Sequence, residues 1–271
     1  MTTRRRILKA FSLSPILAAL PLVGRAQTQL TSTPLTANIT LISGAGANVV
    51  VAVGADSVVV VNGGTRASAP AVLAEINRIS GNRPVSTLFN TSWRPQFSGL
   101  NYLLGMQVTS ILAHENTRLW QNAEFYVDWQ DKLYEPMPKS AQANATFFKT
   151  GSLKLDQEHI EYGFISQANT DGDIYVHFTN ADVLVVGDML GSDSYLLLDY
   201  VTGGWIAGAQ KTTAGLIARA NANTRVVAAH GAVLGLSHLQ EQADMLDHAY
   251  EQVSWAFQNG KSIEALQAAD P

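Results

Sequence analysis

The chain has 271 residues, 46% of them hydrophobic, and carries a formal charge of −4 from 18 basic and 22 acidic side chains. It has no cysteine, which excludes disulfides, thiolate metal sites and thiol nucleophiles. The acidic balance, without clustered Lys or Arg, argues against binding to a nucleic-acid backbone.

The first residues, MTTRRRILKAFSLSPILAALPLVGRAQ, combine a basic start, an apolar run and a small-residue ending, the pattern of an export signal. The paired arginines before Ile7, Leu8 and Lys9 resemble a twin-arginine signal, with cleavage expected after Ala26. The apolar run is shorter than the ~20 residues a spanning helix needs. A periplasmic protein with no stable membrane insertion after cleavage is therefore expected. Residues 27–271 retain 13 basic side chains against 22 acidic ones. Residues 27–40, polar and Thr-rich with Pro34, read as a flexible lead-in, and residues 41–271 as one domain.

Two β-branched runs, at residues 48–53 and 57–61, predict a hairpin buried on both faces. Val72, Leu73, Ile76 and Ile79 behind Pro70 predict a helix that Gly81 stops. A strand over 85–89, a helix over 98–107, a strand at Ile111 and Leu112 and a helix over 115–120 follow. Residues 128–149, with Pro136 and Pro138, read as an irregular insertion on the active-site side. Strands are predicted over 174–178, 183–186 and 225–228, with a helix over 213–222. Ser237, with Gln240, is expected to cap a last helix whose buried stripe is Leu239, Leu246, Tyr250, Val253 and Phe257, and which Gly260 ends. Strands alternating with helices in this order indicate a layered α/β domain.

Six segments carry a resemblance to a known family. They are residues 48–64 (NVVVAVGADSVVVVNGG), the loop at 90–101, 167–173 (QANTDGD), 185–189 (VVGDM), 203–208 (GGWIAG) and 229–233 (AHGAV). In order and spacing the chain resembles the metallo-β-lactamase fold hydrolases over residues 38–250, which implies a four-layer αββα sandwich. The family's site, as the resemblance implies it, uses a His-x-His-x-Asp-His loop, a His before Thr-Asp-Gly-Asp, an Asp in Gly-Asp and a His in Gly-His-Gly. These would hold two zinc ions that activate a shared water.

Aligned to that pattern, Ser92 and Arg94 stand for two histidines, Gln96 for the aspartate and Phe97 for the third histidine, while Asn169 replaces the later histidine. Asp188 and His230 alone retain ligand chemistry, and two donors are fewer than the three a catalytic zinc site requires. No bound metal is expected. Arg94 is expected to stand in for the metal and pair with Asp188, with Asn169 and Gln96 completing the hydrogen bonds. Trp93, Phe97, Trp120, Trp129 and Trp205 either line an apolar pocket or belong to the core. Two functions follow as expectations. One is a non-catalytic protein that binds a small molecule or a periplasmic protein through the old cleft. The other is hydrolysis of an ester, lactone, thioester or β-lactam-type bond, through a rebuilt metal site or with Ser92, His230 and Asp188 as nucleophile, base and orienting acid.

Overall fold

The structure, a computed structural model, describes residues 29–107, 109–192 and 194–268. The expected export signal at residues 1–26 lies outside them.

In the first half, β1 (Thr31–Pro34), β2 (Ile39–Ser43), β3 (Val49–Val53) and β4 (Val58–Val61) form an antiparallel series. Helix α1 (Ala69–Ser80) crosses to β5 (Val85–Phe89), which runs parallel to β4. A short α2 (Asn101–Leu104) leads to β6 (Ser110–His114), and α3 (Glu115–Asn122) follows at once. A two-stranded ribbon, β7 (Phe125–Val127) and β8 (Lys132–Tyr134), precedes β9 (Ala145–Phe147), which closes a seven-stranded sheet beside β6.

In the second half, β10 (Thr150–Leu155), β11 (Glu158–Gly163), β12 (Tyr175–Phe178) and β13 (Val183–Gly187) run antiparallel. Helix α4 (Ile206–Ile217) then crosses to β14 (Arg225–Ala228), parallel to β13. Helices α5 (Leu236–Gln258) and α6 (Ile263–Ala268) end the described chain.

The alternation of side chains along each strand sorts the core into layers. Val50 and Ala52 of β3 and Val59 and Val61 of β4 face inward, against Ile160, Val176, Val185 and Val227 of the other sheet. Their neighbours Val49, Val51, Val58 and Val60 face outward, under Val72 and Ile76 of α1. On the far side, Leu184, Val186 and Val226 pack beneath Ala209 and Leu216 of α4 and Leu239 and Leu246 of α5. Two sheets buried on both faces and covered by helices make the expected αββα sandwich.

Several boundaries differ from the sequence expectation. The lead-in at 27–40 contains β1, paired with β2 in register Thr31↔Ser43, and β2 itself begins at Ile39. Thr-rich segments suit a pleated surface, and Pro34 is tolerated because β1 is an edge strand. The helix read over 98–107 contracts to α2, because Gly99 donates its N–H to the Gly64 carbonyl at 2.8 Å instead of starting a helix. The helix read over 213–222 instead spans Ile206–Ile217, and Gly208 and Gly215 let it pack closely on Gln167, whose carbonyl a Cβ at 208 would meet at 2.0 Å, and on Ile165. Residues 128–149 are partly ordered by β8 and β9 rather than wholly irregular.

Gly235, not Ser237, precedes α5, and its N–H meets His238 Nδ1 at 3.3 Å. Of the α5 stripe only Leu239 and Leu246 are buried, while Tyr250, Val253 and Phe257 are exposed. The cause is length. At 1.5 Å per residue its 23 residues outrun strands of four or five residues, so the C-terminal turns have no sheet beneath them.

A buried amide knot fastens the loop after β5. Asn90 Nδ2 donates to Asn101 Oδ1 at 3.0 Å and to the Phe97 carbonyl at 3.2 Å, and Asn101 Nδ2 returns a bond to Asn90 Oδ1 at 2.8 Å. Gln121 Nε2 also donates to Asn90 Oδ1, and Asn101 reaches the Ala141 carbonyl. Truncation leaves buried partners unsatisfied, so Asn101→Ala should lower unfolding free energy by about 2–3 kcal/mol in urea titration. A loss below about 0.5 kcal/mol would show that the knot is dispensable.

Candidate functional site

Three loops at one end of the sandwich form the site: residues 90–101 after β5, 167–173 before β12, and 188–205 between β13 and α4. Each is tied down by specific bonds. Thr91 uses its N–H and hydroxyl on Asn62 Oδ1 at 3.1 and 2.9 Å, and its carbonyl accepts from Ile174 N–H at 3.0 Å. Gly187 meets Thr91 so closely that a Cβ there would lie 2.5 Å from Thr91 Oγ1, and its φ of +55° favours glycine as well. Asp173 closes the 167–173 turn by accepting from the Thr170 N–H and hydroxyl at 2.6 and 2.8 Å. On a fourth loop, after β14, Asn48 Nδ2 donates to the carbonyls of Ala228 and Gly231, holding His230 at the cleft mouth.

Arg94 is the centre of the site. It is 5% exposed, and its Nε donates to Asn169 Oδ1 at 3.1 Å while Nη2 donates to Asp199 Oδ2 at 3.0 Å. Asp188 Oδ2 lies 3.5 Å from Nε. The expected pairing of Arg94 with Asp188 and Asn169 is therefore present, but the tighter ion pair is with Asp199, which is 1% exposed. Asp199 carried no signal in the sequence, being one acid after an apolar run in a loop of no fixed period. Asn169 also donates from Nδ2 to the Leu197 carbonyl at 2.8 Å, so it spans from Arg94 to the third loop. Gln96 lines the cleft and makes no hydrogen bond to this group among the described residues, a correction to its expected part.

The other candidate positions separate. Ser92 is fully buried, and its hydroxyl has no partner among the described residues. His230 is exposed at the mouth, and among the described residues the Ser92 hydroxyl makes no hydrogen bond to it, so the nucleophile–base contact is not made here. Phe97 is fully buried against Ala47 and Ala229, and is a core plug rather than a pocket wall. Trp93 is buried edge-on to Phe125 and Tyr134, with ring centroids 4.9 Å apart in both pairs. It lines a second, smaller cavity together with Trp120. Trp129 lines the main cleft, and Trp205 is exposed.

Sequence reasoning also missed Gln242 of α5. Its Nε2 donates to the Met189 carbonyl and to Thr213 Oγ1, and its Oε1 accepts from the Gly191 N–H, which props the start of the third loop. The resulting cleft has a volume of about 470 Å³, with Arg94, Asn169 and Asp188 among its lining and Trp129, Tyr195 and His230 around it.

Burial pushes the Asp188 carboxyl upward from its ordinary range, against the opposing pull of Arg94 and His230. Burial likewise pushes Asp173 from 3.8 to about 7, opposed by its two bonds from Thr170.

The donors present do not fit a pair of zinc ions. Among the described residues no three His, Asp or Glu side chains converge, and Asp188 already faces a guanidinium.

No family model matches the chain, and no curated protein matches it by sequence. Solved structures do resemble it. A metallo-β-lactamase from Pontibacter korlensis is 15% identical with a TM-score of 0.65, over 81% of this chain and 99% of that one. The DIM-1 metallo-β-lactamase is 15% identical with a TM-score of 0.65, over 82% and 98%. FIM-1 from Pseudomonas aeruginosa, in its mono-zinc form, is 14% identical with a TM-score of 0.63, over 81% and 96%. The chain has the metallo-β-lactamase fold.

Two predictions follow from the charges. Arg94→Met should cost roughly 3–5 kcal/mol in urea unfolding by stranding the buried Asp199 carboxylate. Adding Asp199→Asn should restore part of that loss, and strict additivity of the two substitutions would refute the pairing. Asp173 has a folded-state value above its unfolded one, so its contribution is fully present below pH 3.8 and is lost as pH rises through about 7. From pH 4 to pH 8 the stability of Asp173→Asn relative to wild type should rise by on the order of 2–4 kcal/mol. A flat difference across that range would place the carboxyl's value near normal.

Proposed function

We propose that this is an exported, periplasmic protein of metallo-β-lactamase fold that binds a small molecule in the relic cleft without catalysing hydrolysis and without a bound metal. The observation that carries the reading is the state of Arg94. A permanent cation, paired with Asp199 and facing Asp188, sits among the positions that the family resemblance assigns to metal ligands. A guanidinium neutralises carboxylates as a metal ion would, but it offers no open coordination position at which water is activated. The hydroxyl at a relic ligand position, that of Ser92, is fully buried and makes no hydrogen bond among the described residues. What remains is a walled cleft with polar groups converging at its floor, the form of a small-molecule site. Export is the reading of residues 1–26. Among the described residues no helix is long and apolar enough to cross a membrane.

The test combines metal content and turnover. Protein purified without chelator or added metal should carry far less than one zinc, iron or manganese ion per chain by inductively coupled plasma mass spectrometry. It should not hydrolyse a chromogenic β-lactam, a lactone or a thioester, with or without added zinc. Stoichiometric metal together with turnover that His230→Ala abolishes would overturn the proposal.

A further inference from the structure

Resting on the reading of the cleft as a binding site, we propose that its ligand is a small organic cation, an ammonium group carried on an apolar or aromatic body. The argument begins with formal charge. Arg94 brings one positive charge to the floor, and Asp188 and Asp199 bring two negative ones, so the three together leave one negative charge in excess. Among the described residues no lysine and no second arginine lines the cleft to cancel it, and the remaining basic side chain there, His230, is formally neutral at pH 7.

The two carboxylates are unequal in access. Asp199 is sealed behind Arg94, with a side chain 1% exposed, whereas the Asp188 side chain is 15% exposed and faces the cavity. The contact of Asp188 with Arg94 is also the longer one, at 3.5 Å against 3.0 Å for Asp199. Asp188 is therefore the under-neutralised group that a ligand can reach. An anionic ligand drawn to Arg94 would have to approach both carboxylates already bound there, and like charges at that range repel.

The walls suit the same ligand. Trp129 and Tyr195 line the cavity with 57% and 85% of their surface exposed, and Leu197 lies beside them. Exposed aromatic side chains lining the same cavity as a reachable carboxylate form a complementary site for an ammonium group, through the ring quadrupole and the ion pair together. At about 470 Å³ the cavity accommodates an arylalkylamine.

The test uses three probes of one shape and different charge: phenethylammonium, the neutral phenethyl alcohol and the anionic hydrocinnamate, titrated calorimetrically into the purified protein. The expected result is saturable binding of phenethylammonium at least about tenfold tighter than that of either analogue, and weakened by added salt. Asp188→Asn should weaken it by about tenfold, and Trp129→Ala by a few-fold. Trp129 is exposed, so its variant locates the site even if Asp188→Asn fails to fold. Equal or tighter binding of the alcohol or of hydrocinnamate, lost in Trp129→Ala, would overturn the cation inference and leave the cleft as a binding site. Phenethylammonium binding unchanged in Trp129→Ala would overturn it too, by placing the cation elsewhere. Binding of none of the three would overturn both readings.

Discussion

The site depends on one buried guanidinium. Arg94 is held by Asp199 and Asn169 and faces Asp188, and these partners come from two other loops. A buried arginine is costly to desolvate, and its attraction to carboxylates repays that cost only when geometry and hydrogen bonding are good. Here the planar fork supplies directed donors to two acceptors at 3.0 and 3.1 Å, which a lysine ammonium could not reproduce in the same plane. The ion pair thus ties the loop after β5 to the loop after β13.

That arrangement rests on a frame of polar side chains that bond to backbone. Asn62, Asn90 and Asn101 hold the first loop, Asp173 and Thr170 the second, Gln242 the third, and Asn48 the turn that carries His230. Loops cannot supply their own ladder of hydrogen bonds, so buried loop backbone needs such partners. The frame uses none of the side chains at the positions where the resemblance expects histidine. Phe97 shows the same separation: its backbone still serves the loop, through Gly63 N–H and Asn90, while its ring fills space against Ala47 and Ala229.

The fold was legible because its signals are short-range and repeated. Runs such as Val58 to Val61 reveal strands buried on both faces, and the order of strand and helix then restricts the architecture to covered sheets. Element ends were less legible wherever a partner distant in sequence decided them. α2 is short because Gly99 bonds to Gly64, and α4, which starts early, packs closely on residues 167 and 165 through two glycines. β1 exists because β2 gives it an edge to pair with.

By itself, then, the sequence determined the layered class, the strand cores and the absence of histidine and aspartate from the loop at 90–101, since composition and period are local properties. It also made Asp188 and Asn169 neighbours of Arg94, through the resemblance. Only the tertiary structure brought Asp199 to Arg94, buried Ser92 while leaving His230 exposed, and left Tyr250, Val253 and Phe257 beyond the edge of the sheet. Each of these depends on where a loop or a helix end lies relative to a distant segment. Ion pairing and burial are properties of that three-dimensional placement, and no spacing along the chain encodes them.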